Sequence, residues 1–280
     1  MAQPRCPRSV LVTGAASGIG RAVAQRLCTR GDRVFAADID AQGLNTLGHA
    51  EPAIETTVLD VRDPAAWTAA VARAARATGA LDVLVHAAGV LSPIAGHRLD
   101  PETIHRLVDV NVKGTIFGMN AAARAMLEAG GGHMVVVASM AALVPVPGIS
   151  VYSATKHAAR AYALAVAGEL APRGITVSVV CPAVVDTPMM DLQLDAEDAA
   201  LTFSSRRPLT VDEVAVAIVE RAIDGKRRQV IVEAPWSGQG IAARAANAFP
   251  GLAAPLAALL RRRARARQAR LRKARRAPRS

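Results

Sequence analysis

Short runs of apolar, mostly β-branched residues alternate along the chain with longer Ala-rich stretches in which apolar positions recur every three or four residues. The runs at 9–12, 33–37, 54–59, 81–85, 133–138, 175–180 and 229–232 predict seven strands. The stretches 20–30, 65–78, 101–129, 154–171 and 211–224 predict helices, some opened by start signals such as Asp63-Pro64 or Thr210-Val211-Asp212-Glu213. The strand runs are continuously apolar rather than alternating, so both faces of the sheet must be covered. Strands of this kind interleaved with helices predict a doubly wound α/β fold around a mainly seven-stranded parallel sheet, with helices on both faces. No repeat or linker interrupts the alternation before about residue 233. Beyond it come Pro235-Trp236-Ser237-Gly238, Ala-rich pieces broken at Pro250 and Pro255, and an arginine run. The expected organisation is one catalytic-size domain, 1–235, with a C-terminal extension, 236–280.

Composition agrees with a large core: of 280 residues, 51% are hydrophobic and 20% charged, which excludes general disorder. Aromatic residues make up only 3%, so the core is aliphatic and stacking platforms for single-stranded nucleic acid are scarce. The net charge of +11 has one source. Residues 261–280 hold eleven cations and no acid, while the preceding 260 residues hold 23 charges of each sign. The basic excess therefore belongs to the tail and does not make the body a nucleic-acid binder. Cys6, Cys28 and Cys181 are scattered, with no Cys-x-x-Cys pair, which fits a reducing, cytoplasmic compartment. No apolar run approaches the roughly 18 residues of a membrane span, no signal-peptide core stands at the N-terminus, and the six histidines show no metal-ligand spacing. No metal is expected.

Three patterns carry chemistry. The first strand runs into Thr13-Gly14-Ala15-Ala16-Ser17-Gly18-Ile19-Gly20 before a helix, a turn in which glycines let backbone amides approach a pyrophosphate at the positive end of the helix dipole. Asp38 closes the second strand, eighteen residues after Gly20. An acid there accepts from both ribose hydroxyls and repels a 2′-phosphate, favouring NAD over NADP; its alternative role is to start a turn or cap the next helix. Ser139 follows the fifth strand, and Tyr152 and Lys156 stand four apart in Tyr152-Ser153-Ala154-Thr155-Lys156, on one helix face. The ammonium is expected to draw the phenol pKa down toward working pH, as a proton-transferring tyrosine needs.

Together these residues resemble the classical short-chain dehydrogenases/reductases over roughly residues 8 to 235. The turn matches their T-G-x-x-x-G-I-G motif through Gly14, Ser17, Gly18, Ile19 and Gly20. Asn111 matches the helix asparagine of a proton relay to the lysine, and Ser139, Tyr152 and Lys156 match the rest of the catalytic tetrad. Asp60 and Val61 resemble the pair that contacts adenine, and residues 182–187, with Pro182 and Thr187, resemble the stretch beside the nicotinamide. His86-Ala87-Ala88-Gly89 stands where the family has N-N-A-G, keeping Ala88 and Gly89 but losing the sheet-tying asparagine at Ala87, and Pro182-Ala183 replaces Pro-Gly. The resemblance implies a Rossmann-like fold, a homo-oligomer, NAD as cofactor in preference to NADP, and reversible hydride transfer between it and a secondary alcohol or ketone. Tyr152 would be acid and base, Lys156 would hold its pKa down and bind the nicotinamide ribose, Ser139 would orient the substrate oxygen, and Asn111 would link Lys156 to solvent.

Leu143, Val144, Val146 and Ile149 before Tyr152, and Met189, Met190, Leu192, Leu194, Leu201 and Phe203 after Thr187, suggest a lid over an apolar substrate such as a lipid, steroid, polyketide or terpenoid alcohol. The competing reading places them in the core or a subunit contact. Three readings stay open for the tail, in which Leu252, Leu256, Leu259 and Leu260 precede the arginines: an anionic membrane surface, nucleic acid, or a solvated end with no partner. Nucleic acid is the least expected. The non-enzyme alternative is a cofactor-binding regulator or scaffold for the basic tail.

Overall fold

A computed structural model describes residues 7–248 and 250–276, with the side chains of 250–259 outside the description. In chain order the sheet strands are β1 Ser9–Thr13, β2 Arg33–Asp38, β3 Glu55–Val58, β4 Val83–His86, β5 Gly132–Val137, β6 Ile175–Pro182 and β7 Gln229–Val232. All neighbours pair in parallel, in the order β3-β2-β1-β4-β5-β6-β7. The seven predicted strands are therefore present, in a doubly wound sheet.

Alternate residues of the central strands feed two separate cores, while the edge strand β3 is only part-buried and leaves Val58 exposed. Val10, Val12, Val34, Ala36, Val83 and Val85 pack on one face, with Val23 and Leu27 of α1 (Gly18–Thr29) and Leu44 and Leu47 of α2 (Ala41–Ala50). Leu11, Phe35, Leu84, Met134 and Val136 pack on the other face, with Trp67 and Val71 of α3 (Pro64–Thr78). The continuous apolarity of the strands is the cost of having no solvated face.

The remaining helices are α4 Pro101–Val108, α5 Gly114–Glu128, α6 Ser150–Leu170, α7 Pro188–Leu194, α8 Val211–Val216, α9 Gln239–Ala248 and α10 Pro250–Arg276. Helix α2 was not among the predicted elements. Two glycines and one aliphatic face give it a weak pattern, but Asp40 caps it by accepting from the Gly43 amide. The stretch expected as one helix over 101–129 is broken by a π turn, Asp109–Lys113, between α4 and α5. The order of the sheet reverses between β1 and β4, where Thr13 is paired with His86, and this places a crevice at the C-terminal strand ends.

Candidate active site

The glycine turn occupies the floor of that crevice. Gly14 has φ +68°, and a Cβ there would stand 2.8 Å from the Ala88 amide nitrogen, so neither the conformation nor the space admits a side chain. Gly18, also at positive φ, lies against the Thr187 methyl, bringing the turn to the base of the lid. Ser17, exposed, precedes α1 with its hydroxyl uncommitted to capping, and the first turn of α1 has no acid. Asp38 accepts from the Ala16 amide at 3.0 Å and from the Asp40 amide at 3.1 Å, so it braces the glycine turn while keeping further acceptor capacity. The capping role belongs to Asp40, not Asp38.

Two residues expected to meet the adenine are already engaged. Asp60 forms an ion pair with Arg62 at 2.6 Å, which holds its carboxyl below the ordinary range. Val61 is buried, packs near Gly114, and its carbonyl accepts from the Trp67 indole at 2.9 Å.

The sheet tie missing at Ala87 is made by His86. Its Nδ1 is 2.9 Å from Thr13 Oγ1, joining the ends of β4 and β1, and the same Thr13 oxygen accepts from the Ala88 amide at 3.3 Å. Burial, aided by the Lys156 charge, pushes His86 down to about 3, so it is neutral.

Four expected catalytic side chains converge. The π turn aims Asn111 inward, where its Nδ2 donates to the Val90 carbonyl (2.8 Å) and Thr155 Oγ1 (3.0 Å) and its Oδ1 accepts from the Val90 amide (2.9 Å). A Cβ on Gly89 would lie 3.1 Å from Lys156 Nζ and 3.2 Å from Asn111 Oδ1, so both polar atoms flank one point that only glycine leaves free. Lys156 Nζ donates to the Val137 carbonyl at 3.1 Å and lies 5.8 Å from the centre of the Tyr152 ring. Ser139 follows β5, with its Oγ accepting from the Ala141 amide at 3.1 Å, and it stands near enough to Tyr152 to oppose the rise of the phenol's pKa. Thr155 was not singled out from the sequence. Its hydroxyl links Asn111 to the Tyr152 carbonyl, and its place inside the Tyr-to-Lys interval is the signal for it.

The electrostatics reverse one expectation. Burial pushes Tyr152 up to about 12, against the nearby Ser139 hydroxyl, which lowers it, and burial brings Lys156 down to about 8. Desolvation outweighs any help from the ammonium, so the buried phenol holds its proton at neutral pH.

Ser139, Tyr152 and Lys156 border a cavity of about 540 Å³ that also reaches Ile19, Gly89 and Thr187. Lys156 is the one charged residue among the described residues lining it. Val144, Val146, Ile149, Met189, Met190 and Leu201 line it as expected. Leu143, Leu194 and Phe203 are instead packed in core clusters, and Leu192 is exposed. The lid motif thus divides between pocket and core.

The basic tail forms one wall of this site. Helix α10 lies along α7 and the 3₁₀ segment Glu197–Ser204, burying Ala264 and Gln268. Leu271 packs against Met190, Leu194 and Phe203, and Leu260 lines the cavity. The Gln268 amide donates to the Gln193 and Ala196 carbonyls, each at 2.8 Å, and Arg267 donates to the carbonyls of Phe203, Ser204 and Ser205. Arg275 pairs with Asp186 and Asp191, and Arg276 with Asp195. Several tail cations are therefore paired within the chain. The side chains of Leu252, Leu256 and Leu259, and residue Cys6, lie outside the described residues. No helix among the described residues is long and apolar enough to cross a membrane.

Comparison with known proteins follows this geometry. The short chain dehydrogenase family profile matches residues 8–198. A 2-(R)-hydroxypropyl-CoM dehydrogenase of Xanthobacter autotrophicus is 36% identical over 225 residues, 76% of this chain and 90% of the relative. A 3-alpha-(or 20-beta)-hydroxysteroid dehydrogenase of Mycobacterium bovis is 34% identical over 240 residues, 85% of this chain and 91% of the relative. Among solved structures, a short chain dehydrogenase from Mycobacterium paratuberculosis bound to NAD superposes with TM-score 0.74 at 28% identity, covering 84% of this chain and 98% of its own. An actinorhodin polyketide ketoreductase variant with NADPH gives 0.75 at 31%, covering 84% and 97%. The chain belongs to the short chain dehydrogenase family and is an NAD(P)-dependent oxidoreductase of the alcohol dehydrogenase/carbonyl reductase type.

Proposed function

We propose that this enzyme is an NAD-linked reductase and dehydrogenase of a neutral, largely apolar ketone and its secondary alcohol, with Tyr152 as proton carrier. The observation that carries the reading is the placement of Ser139, Tyr152 and Lys156 on one apolar cavity that continues to Gly89 and Thr187. The cradle suits a dinucleotide, since Gly14 and Gly89 face surfaces that a Cβ would fill. Gly14, Ser17, Gly18, Ile19 and Gly20 would hold its pyrophosphate, Asp38 its adenosine ribose, Asp60 and Val61 its adenine, and Ala88, Gly89, Pro182, Thr187 and Lys156 its nicotinamide end. When bound, the nicotinamide supplies or accepts the hydride.

In reduction the Tyr152 hydroxyl gives its proton to the substrate oxygen while Ser139 holds that oxygen by a second hydrogen bond. In oxidation the phenolate takes the alcohol proton. Because burial raises the Tyr152 pKa, the protonated form prevails at pH 7 and suits reduction, whereas oxidation gains as pH rises toward the phenol's pKa. Lys156, held by the Val137 carbonyl, keeps positive charge beside the proton path, and Asn111 fixes the backbone at Val90 on the other side of Gly89.

Tyr152→Phe keeps the ring and removes the proton. Turnover of a ketone panel with NADH is expected to fall by on the order of a hundredfold or more, with NADH affinity by fluorescence titration unchanged. Full turnover in this variant would end the assignment.

A further inference from the structure

Helix α9 and Leu260 of α10 lie beyond residues 8–198, the part of the chain that the family profile matches, yet both reach the cavity bordered by Ser139, Tyr152 and Lys156. Residues 239, 242, 243 and 246 of α9 line it, a spacing of three, four and seven that marks one helix face. After Gln239 that face is all alanine. Ala243 is buried in the core, whereas Ala242, Ala246 and Leu260 keep accessible surface. The helix is seated against the sheet. Gly240 lets it close on β7, since a Cβ there would stand 3.1 Å from Ile231 Cγ2. Glu233, just past β7, accepts from the Gly240 amide at 2.9 Å and from the Ser237 hydroxyl at 2.6 Å, which sets a carboxylate at the first turn of α9, where the helix dipole favours it. The alanine face is thus a fixed wall. Longer side chains there would fill apolar space with contact, so alanine leaves unfilled what packing alone would close.

We propose that Ala242 and Ala246 of α9, with Leu260 of α10, set the size of the substrate, admitting a ketone whose apolar substituent is branched or ring-sized. The proposal rests on the reductase reading above and narrows its substrate class by bulk. Ser139 and Tyr152 fix where the reacting oxygen goes, so the substituent on the carbonyl carbon takes the space that remains. Tyr152 packs in a cluster with Leu91, Ala141, Ile149 and Ala199, to which α9 contributes no described residue. The alanine face therefore bounds the substituent and not the carbonyl. In an apolar pocket one methylene more or less changes discrimination by roughly 10- to 200-fold, so a short substituent forgoes most of the contact that a ring makes. A leucine at Ala246 or Ala242 takes that room away, and an alanine at Leu260 adds to it.

The test compares 2-butanone with cyclohexyl methyl ketone on the full chain with saturating NADH. Wild type is expected to favour the cyclohexyl ketone in kcat/KM. Ala246→Leu and Ala242→Leu should each lower that preference by about tenfold to a hundredfold, chiefly by raising KM for the larger ketone, with 2-butanone turned over as well as by wild type. Leu260→Ala should move the preference the other way. Melting temperatures no lower than that of wild type are expected of the two leucine variants, because a leucine there fills apolar space. A melting shift of the NADH-saturated enzyme, larger with the cyclohexyl ketone and reduced in the leucine variants, reads the same size limit without turnover. If one leucine variant does not fold, the other and Leu260→Ala decide the matter. A wild-type preference for 2-butanone, an unchanged preference in folded variants, or equal losses on both ketones overturns the proposal, and α9 then supports the fold without bounding the substrate. Turnover of neither ketone by wild type, with no melting shift from either, instead overturns the reductase reading, and the size limit with it.

Discussion

The side of the crevice proposed to hold the cofactor is made of backbone: glycines that leave room, strand ends in register, and one carboxylate, Asp38, bracing the turn. The side proposed to hold the substrate is made of side chains from segments distant in sequence, with α7 and the 3₁₀ segment held together by an arginine-rich helix. Backbone recognition of a constant group needs a fixed shape and tolerates little change. A wall of side chains strapped by ion pairs can be altered residue by residue, which is where specificity can diverge while the reaction stays the same.

Four perturbations test that division. Gly14→Ala should act most strongly, since its methyl meets backbone at 2.8 Å in a left-handed conformation. A loss of NADH affinity of on the order of a hundredfold is expected by fluorescence titration, roughly 3 kcal/mol; an affinity near wild type would show that the turn is not a rigid cradle. Next, Arg267→Ala combined with Arg275→Ala should raise substrate KM by roughly tenfold while leaving NADH binding alone, because the carbonyls that Arg267 holds belong to the pocket wall. Equal losses on both sides would erase the contrast. If Asp38 selects NAD as proposed, Asp38→Asn should shift the ratio of kcat/KM for NAD and NADP several-fold toward NADP, through loss of the charge that opposes a 2′-phosphate. The smallest effect is expected at Thr210, which is exposed and does not line the cavity. It caps α8 in a capping box with Glu213, and Thr210→Ala should cost about 1 kcal/mol in urea unfolding with kinetics unchanged.

The sheet was legible because the apolar runs of the central strands report burial on both faces, and the meeting of Tyr152 with Lys156 was legible because they lie one helical turn apart. Helix α2 was hidden by its glycines, and the π turn at Asn111 leaves no periodic trace shorter than the helix that surrounds it. The Tyr152 pKa was misjudged because spacing shows which charge is near but not how much water has been removed. The tail was the least legible part. Its inward positions, Leu260, Ala264, Gln268 and Leu271, follow a helical stripe, but the arginines between them read as solvent-facing until Asp186, Asp191 and Asp195 come from another part of the chain to meet them.

The position of α10 also bears on the order of synthesis. During translation the glycine turn and the first six strands are complete well before residues 260–276 leave the ribosome. A nascent chain can thus assemble its sheet, as N-terminal parts generally do first, with its lid not yet strapped. The glycine turn is thus in place early, and the wall that α10 adds beside the cavity is the last part of the site to be made.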